Sequence, residues 1–314
     1  MRKIDGWLLV AAVCCSTSLA FPAMAITIDG TVDAEYGSPK IQQGVRTNFG
    51  NAIQGAPDFC LGSELDLGFA VIQGDVLYLL LAGNLESNWN NLEIFFDSGP
   101  GGQNRLRGDN PWITPNSGLN RMGELVGGNG SFGPDGPGLK FDDAFEPDYY
   151  INIRGGDKGG VYGFDASWAQ LLTNGGGQSF YLGGGGAVTD SALSGGFNPF
   201  GIRATINNSN TFGVTGGCRG SSGLGVTTGM ELAIPMAAIG RASNCILISA
   251  FINAWQHDFV SNQFLGSLFP EICNLGEPRF VDLTTHRARQ YFEVCPAPVP
   301  AEQMTWGSLK AHYR

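Results

Sequence analysis

The sequence predicts an all-β protein, an antiparallel β-sandwich of jelly-roll type with long Gly-rich loops. Three observations predict it. Glycine supplies 48 of the 314 residues, about twice its usual share. The glycines cluster between short apolar segments, at Gly127-Gly128, Gly155-Gly156, Gly175 to Gly177 and Gly183 to Gly186, without a collagen-like G-X-Y period. No long stretch keeps an apolar period of 3.6 residues. Short strands separated by frequent turns describe a sandwich or a barrel, and glycine permits the positive φ of tight turns.

The elements follow in chain order. Ile26-Thr27-Ile28 alternates and runs into an Asp29-Gly30 turn. Val76 to Leu81 is a continuous apolar run, as a strand covered on both faces would be. Leu92, Ile94 and Phe96 alternate with Glu93, Phe95 and Asp97, so the first three should face inward. Asp97 to Asn104 is a turn-rich loop. Tyr149 to Ile153, Val161 to Phe164, Phe180 to Leu182 and Gly201 to Ile206 read as further strands, and Ser167 to Leu172 as a weak helix. Met230 to Ile234 is a strand stopped by Pro235, which has no N–H for a ladder. Ala237 to Ile239 reads as one helical turn. Cys245 to Asn253 is a long apolar strand suited to the middle of a sheet, and Tyr291 to Val294 is the last.

The ends carry different information. Arg2 and Lys3 precede an apolar stretch from Trp7 to Phe21, and Ala23-Met24-Ala25 forms an A-x-A site. This is the layout of a secretory signal peptide over residues 1–25. The apolar run, about 15 residues, is shorter than the roughly 20 that span a bilayer. One domain is expected over 26–295, because no break in composition divides it. Residues 296–304 form a Pro-rich linker, stiff and extended. Residues 305–314 form a short basic-aromatic tail. The formal net charge is -10, which repels nucleic acid and anionic membrane. Past the signal peptide the cysteines are Cys60, Cys218, Cys245, Cys273 and Cys295. An exported chain can oxidise them. The odd count allows at most two internal bridges, and the absence of C-x-x-C speaks for structural bridging rather than zinc or redox chemistry.

Three segments together resemble a known pattern: Ile28-Asp29-Gly30 with Asp33 and Tyr36; Leu77-Tyr78-Leu79 followed by Leu92 to Asp97; and Glu231-Leu232-Ala233-Ile234-Pro235. They are similar to the family 9 carbohydrate-binding and DOMON-like β-sandwich superfamily. The run from Gly83 to Pro111 resembles uncharacterised secreted bacterial proteins of the planctomycete, PEP-CTERM-associated type. The first resemblance implies a jelly-roll-like sandwich. Sugar-binding members hold glycan between loop aromatics, and haem-binding members use Met and His; no such haem motif surrounds His257 or His286. The chain lacks the hydrophobic helix and arginine cluster of the PEP-CTERM signal, so that sorting route does not carry over.

Four constellations could carry chemistry. Asp142, Asp143, Glu146 and Asp148, with Asp97 and Asp135 in turn-rich loops, could hold calcium, which takes six to eight oxygen ligands; Asp97, Asp142, Asp143 and Asp148 are the metal candidates. Trp89, Trp112, Trp168 and Trp255 could stack on sugars. Trp89 with Asn90, and Trp112, stand among asparagines that suit hydroxyl groups and are the ligand-binding candidates. No G-x-S-x-G, H-E-x-x-H or Walker motif occurs, so no catalytic residue is assigned; Arg107-Gly108-Asp109 spells an adhesion tripeptide, and Asn129-Gly130-Ser131 and Asn207-Asn208-Ser209 spell sequons. The tail, from Thr305 to Arg314, resembles a sorting signal to be read by export machinery, with Trp306, Gly307, Lys310 and Arg314 as its readable residues. The expectation is therefore an exported, non-catalytic, extracellular or cell-surface protein that binds glycan, with calcium as its candidate ion. A self-associating surface component would instead show bare strand edges, and a hydrolase a pair of carboxylates across a cleft.

Overall fold

The structure is a computed structural model describing residues 25–49, 62–113, 118–128, 133–214, 218, 220, 223–240, 245–266, 268–269 and 272–296. The strands among them are β1 (Ile41–Gln42), β2 (Glu64–Gln73), β3 (Val76–Asn84), β4 (Asn88–Asp97), β5 (Tyr149–Asp157), β6 (Tyr162–Gln170), β7 (Ser179–Gly185), β8 (Ser194–Gly195), β9 (Arg203–Ile206), β10 (Gly229–Pro235), β11 (Ile246–Asn253), β12 (Val260–Phe264) and β13 (Phe292–Val294). They form two antiparallel sheets. One runs β1-β2-β3-β10-β9. The other runs β12-β11-β4-β5-β6-β7-β8, with β13 also paired to β11. The only α-helix among the described residues is the five-residue α1 (Gly118–Met122). The all-β sandwich expected from the glycine spacing is what the chain forms.

The sheets pack face to face. Leu77, Leu79 and Leu81 of β3 and Leu232 and Ile234 of β10 meet Leu92, Ile94 and Phe96 of β4 and Ile248, Ala250 and Ile252 of β11. The inward face expected for β4 is thus observed. Each sheet is also covered on its outer side. Ile26, Ile28 and Tyr36 from the start of the described chain lie on Leu67, Phe69 and Leu80 of the first sheet. Long connections lay Leu106, Leu119, Met122, Leu139, Phe141 and Leu283 over Phe95, Tyr150, Phe251 and Phe264 of the second. The central strands are therefore apolar on both faces, which explains the unbroken run at Val76 to Leu81.

Glu231 joins segments far apart in sequence. Its Oε2 accepts from the backbone N–H groups of Asp29 (2.8 Å) and Gly30 (2.7 Å), and its Oε1 from the Tyr36 hydroxyl (2.7 Å). Asp33 completes the strap by accepting from the N–H of Thr27. Three residues that carried the resemblance, Asp29, Tyr36 and Glu231, thus meet at the buried Glu231 carboxyl. Burial raises the Glu231 carboxyl to about 7, against the opposing pull of the Tyr36 and backbone hydrogen bonds.

One expectation is corrected, and one strand goes unpredicted. Ser167 to Leu172 is not helical: it carries the end of β6, where Trp168 packs in the inter-sheet core and Ala169 under the outer cover. With both faces buried the strand shows no period of two, and tertiary packing overrides propensity. Strand β2 is absent from the sequence reading, although Leu65, Leu67, Phe69 and Val71 alternate along it; Glu64 and Asp66 between them are buried. The helical turn expected at Ala237 to Ile239 is present as a 3-10 turn, Met236–Ile239, directly after Pro235.

Disulfides join Cys218 to Cys273 and Cys245 to Cys295. The second ties the start of β11 to the end of β13, strands already paired through Ile246 and Val294. Bridging as a structural device, expected from the spacing, is observed; Cys60 lies outside the described residues.

Candidate functional site

The strongest constellation on the covered face of the second sheet is built from polar residues facing away from the sandwich core. On β4, Asn91 and Glu93 point opposite to Leu92 and Ile94, as strand alternation requires. Glu93 is fully buried and is surrounded by donors. The Tyr150 hydroxyl donates to its Oε2 at 2.5 Å, with Asn152 Nδ2 at 3.1 Å. Asn253 Nδ2 donates to Oε1 at 3.2 Å, and His257 Nδ1 lies 2.6 Å from the same oxygen. Burial, then the Glu93 charge and hydrogen bond, hold the Tyr150 hydroxyl well above its ordinary value, so it remains a donor.

This network anchors a hairpin. Residues 254–259 connect β11 to β12. Asn253 Oδ1 accepts from the N–H groups of Ala254 (2.9 Å) and Phe259 (3.2 Å). Asn91 Nδ2 donates to the carbonyls of Ala254 (2.6 Å) and Trp255 (3.2 Å). The His257 N–H returns to the Ala254 carbonyl at 2.8 Å. His257 itself has φ 56, a left-handed conformation that is uncommon outside glycine, and its imidazole lies against Gly118, where a Cβ would collide with the ring. Backbone strain of this kind persists only where the surroundings over-determine it. Here the buried ring pins the loop from below.

What the loop displays is aromatic. Trp255 is 51% exposed and Phe259 43%, while His257 between them is buried. Gln256 is exposed and Asp258 half-buried beside them. Phe49 stacks on Phe259, with ring centroids 6.1 Å apart and planes within 10°. Elsewhere Trp112 is 58% exposed, its carbonyl accepting from Ser179 Oγ at 2.7 Å on β7. Trp168 is a core residue whose Nε1 donates to the Ala238 carbonyl.

The residues singled out from sequence do not form one site, although Asp97 and Asp148 lie within electrostatic reach of each other. Trp89 is half-buried at φ 70, packed on Gly156 with the Arg154 guanidinium 4.9 Å from its ring centroid. Asn90 is buried and donates to Ser63 Oγ and Glu86 Oε2. Neither is brought together with Trp112. Three of the four acids are engaged with backbone. Asp97 accepts from the N–H of Glu146, Asp148 from those of Ser98 and Gly99, and Asp142 from that of Gln290; Asp143 is exposed. Burial raises the carboxyls of Asp97, Asp142 and Asp148. Among the described residues, only Cys245, Glu293 and Cys295 form a group of three or more acid, cysteine or histidine side chains within metal-holding reach, and that disulfide occupies both thiols. The Arg107-Gly108-Asp109 tripeptide closes on itself, with Arg107 Nε and Nη2 donating to the two Asp109 oxygens at 2.8 and 2.7 Å. Trp306, Gly307, Lys310 and Arg314 lie outside the described residues, as do residues 1–24 and 129–132.

Sequence reasoning included Trp255 in its aromatic set but missed Glu93, Asn253, His257 and Phe259. The available signal was the stretch Trp255-Gln256-His257-Asp258-Phe259, two aromatics among polar residues directly after the long apolar β11. No family model, no curated protein and no solved structure matches the chain.

Proposed function

We propose that the protein is an exported, non-catalytic module that binds carbohydrate through the tip of the β11–β12 hairpin. The observation that carries this reading is the exposure of Trp255 and Phe259 on a loop fixed from beneath by the buried Glu93–His257 pair. Indole and phenyl faces stack on the C–H face of a sugar ring, and aromatic rings contribute much contact area with few torsions to freeze. Gln256 and Asp258 stand beside them to meet hydroxyls. A loop held in place before binding loses little further entropy on binding. Asp258 is the only carboxylate in residues 254–259, whereas glycoside hydrolysis generally uses two.

A glycan array probed with the mature protein tests this. Binding is expected, and Trp255→Ala and Phe259→Ala should each weaken it about tenfold or more, the scale of a lost aromatic contact, with the melting temperature little changed. Binding by both variants at wild-type strength would sink the reading.

Export is supported by the signal-like residues 1–25 and by the two disulfides, which persist in oxidising compartments. No helix among the described residues is long and apolar enough to cross a membrane. The tail from Thr305 to Arg314 is proposed to direct localisation rather than folding. Deleting it in the native host should shift the protein between surface and medium while leaving its melting temperature unchanged. An unaltered distribution would reject the role.

A further inference from the structure

A cleft of about 520 Å³ is lined by none of the hairpin residues. It is bounded by Asp29, the start of β6, the segment after β7 and the segment after β9. Its volume falls in the range of small-molecule sites. Its walls include Val161 and Val188, which are 64% and 59% exposed, together with Ala187 and Ile206.

The polar groups in this cleft are unequally available. Asn208 is consumed by the backbone: its Oδ1 accepts from the Leu85 N–H at 3.0 Å and its Nδ2 donates to the Leu85 carbonyl at 2.9 Å. Asn207 Oδ1 accepts from the Ser209 N–H, and its Nδ2 donates to Thr31 Oγ1. Asp29 is exposed, and its Oδ1 accepts from the Thr31 N–H at 2.8 Å. Its backbone is held by the Asp29 N–H to Glu231 bond. Among the described residues that line the cleft, Asp29 is the only charged side chain.

We infer that the cleft is a second ligand site and that it takes a small molecule bearing a protonated amine on a hydroxylated carbon skeleton, an amino sugar in chemical class. The aliphatic walls receive the carbon skeleton. The Asp29 carboxylate receives the ammonium in a charge-assisted hydrogen bond, stronger than one between neutral groups. Thr189 and Ser209 supply hydroxyls at the rim. A negatively charged ligand would meet an acid and no base. It would also meet the field of a chain carrying net -10, which attracts cations and repels anions. The walls are set before binding. Val188 N–H donates to the Gly186 carbonyl and Thr205 Oγ1, which itself donates to that carbonyl.

The test is methyl NMR on the mature protein titrated with glucosamine, and separately with glucose. Glucosamine should shift the Val161 and Val188 methyl signals to saturation. Glucose should bind about tenfold more weakly or worse, the scale of one lost charge-assisted contact. Asp29→Asn retains the oxygen that accepts from Thr31, so it should fold; it should lose glucosamine affinity about tenfold while glucose is unaffected. Val188→Trp should block both, and Trp255→Ala should leave glucosamine binding intact. Unmoved Val161 and Val188 signals at tens of millimolar glucosamine would overturn the site. Equal affinity for glucose, or an Asp29→Asn variant binding glucosamine like wild type, would overturn the role of the amine.

Discussion

Glu93→Ala is expected to lower the melting temperature by on the order of 10 °C, the largest effect of any single substitution considered for this chain. The carboxylate lies at 0% exposure and receives Tyr150, Asn152, Asn253 and His257. Removing the acceptor strands these buried donors without a partner, which typically costs about 1–3 kcal/mol for each group left unsatisfied. In a domain of this size each kcal/mol moves the midpoint by roughly 2–4 °C. His257→Ala should be destabilising by a similar mechanism. The double variant should be less destabilised than the sum of the two, since both changes remove one interaction. Thermal melts of the three variants decide it. Strictly additive losses, or single losses below about 1 kcal/mol, would show that the pair does not hold the hairpin.

Alkaline pH is expected to weaken the fold over a wide window. Burial raises the Glu64 carboxyl to about 9, aided by the neighbouring Asp66 charge and opposed by the Thr47 N–H. Burial likewise raises Asp66 to about 7, opposed by the Asn210 amide, and Glu231 to about 7. Their unfolded values are 4.5 for a glutamate and 3.8 for an aspartate. Between those values and the folded ones, the folded chain holds protons that the unfolded chain has released. Stability therefore falls as pH rises. The contribution is complete below about pH 4, declines through 7 as Asp66 and Glu231 ionise, and is lost through 9 as Glu64 does. Several kcal/mol are at stake over the window. The melting temperature should fall steadily from pH 5 to pH 9, and Glu64→Gln should flatten the upper part of the slope. A melting temperature that rises or stays level across this range would contradict the burial of these acids.

These acids also mark the limit of what the sequence makes legible. Leu92, Ile94 and Phe96 announce β4 because their period of two survives under packing. Val76 to Leu81 announces β3 because both of its faces are covered by apolar groups. Strand β2 starts with Glu64 and Asp66, which look like solvent-facing positions. They are buried because Thr47 and Asn210, distant in sequence, bond to them. Pairing at that separation has no local signature. The same holds at the hairpin tip. Trp255 is recognisable as a candidate aromatic, yet its importance rests on Glu93, 162 residues earlier in the chain. Trp89 and Asn90 looked equally suited to a sugar, and the fold uses Asn90 inside the protein and covers Trp89 with Arg154. Composition identifies aromatics and amides, but only the fold shows which of them reach the surface.

The central claim, that the strained β11–β12 hairpin is a carbohydrate-binding element, is tested most directly by hydrogen–deuterium exchange. The mature protein should be compared with and without the glycan that the array selects. The account predicts new protection confined to residues 254–260 and the neighbouring start of β4. Protection elsewhere with none at the hairpin tip, or no change at a saturating glycan concentration, would contradict it.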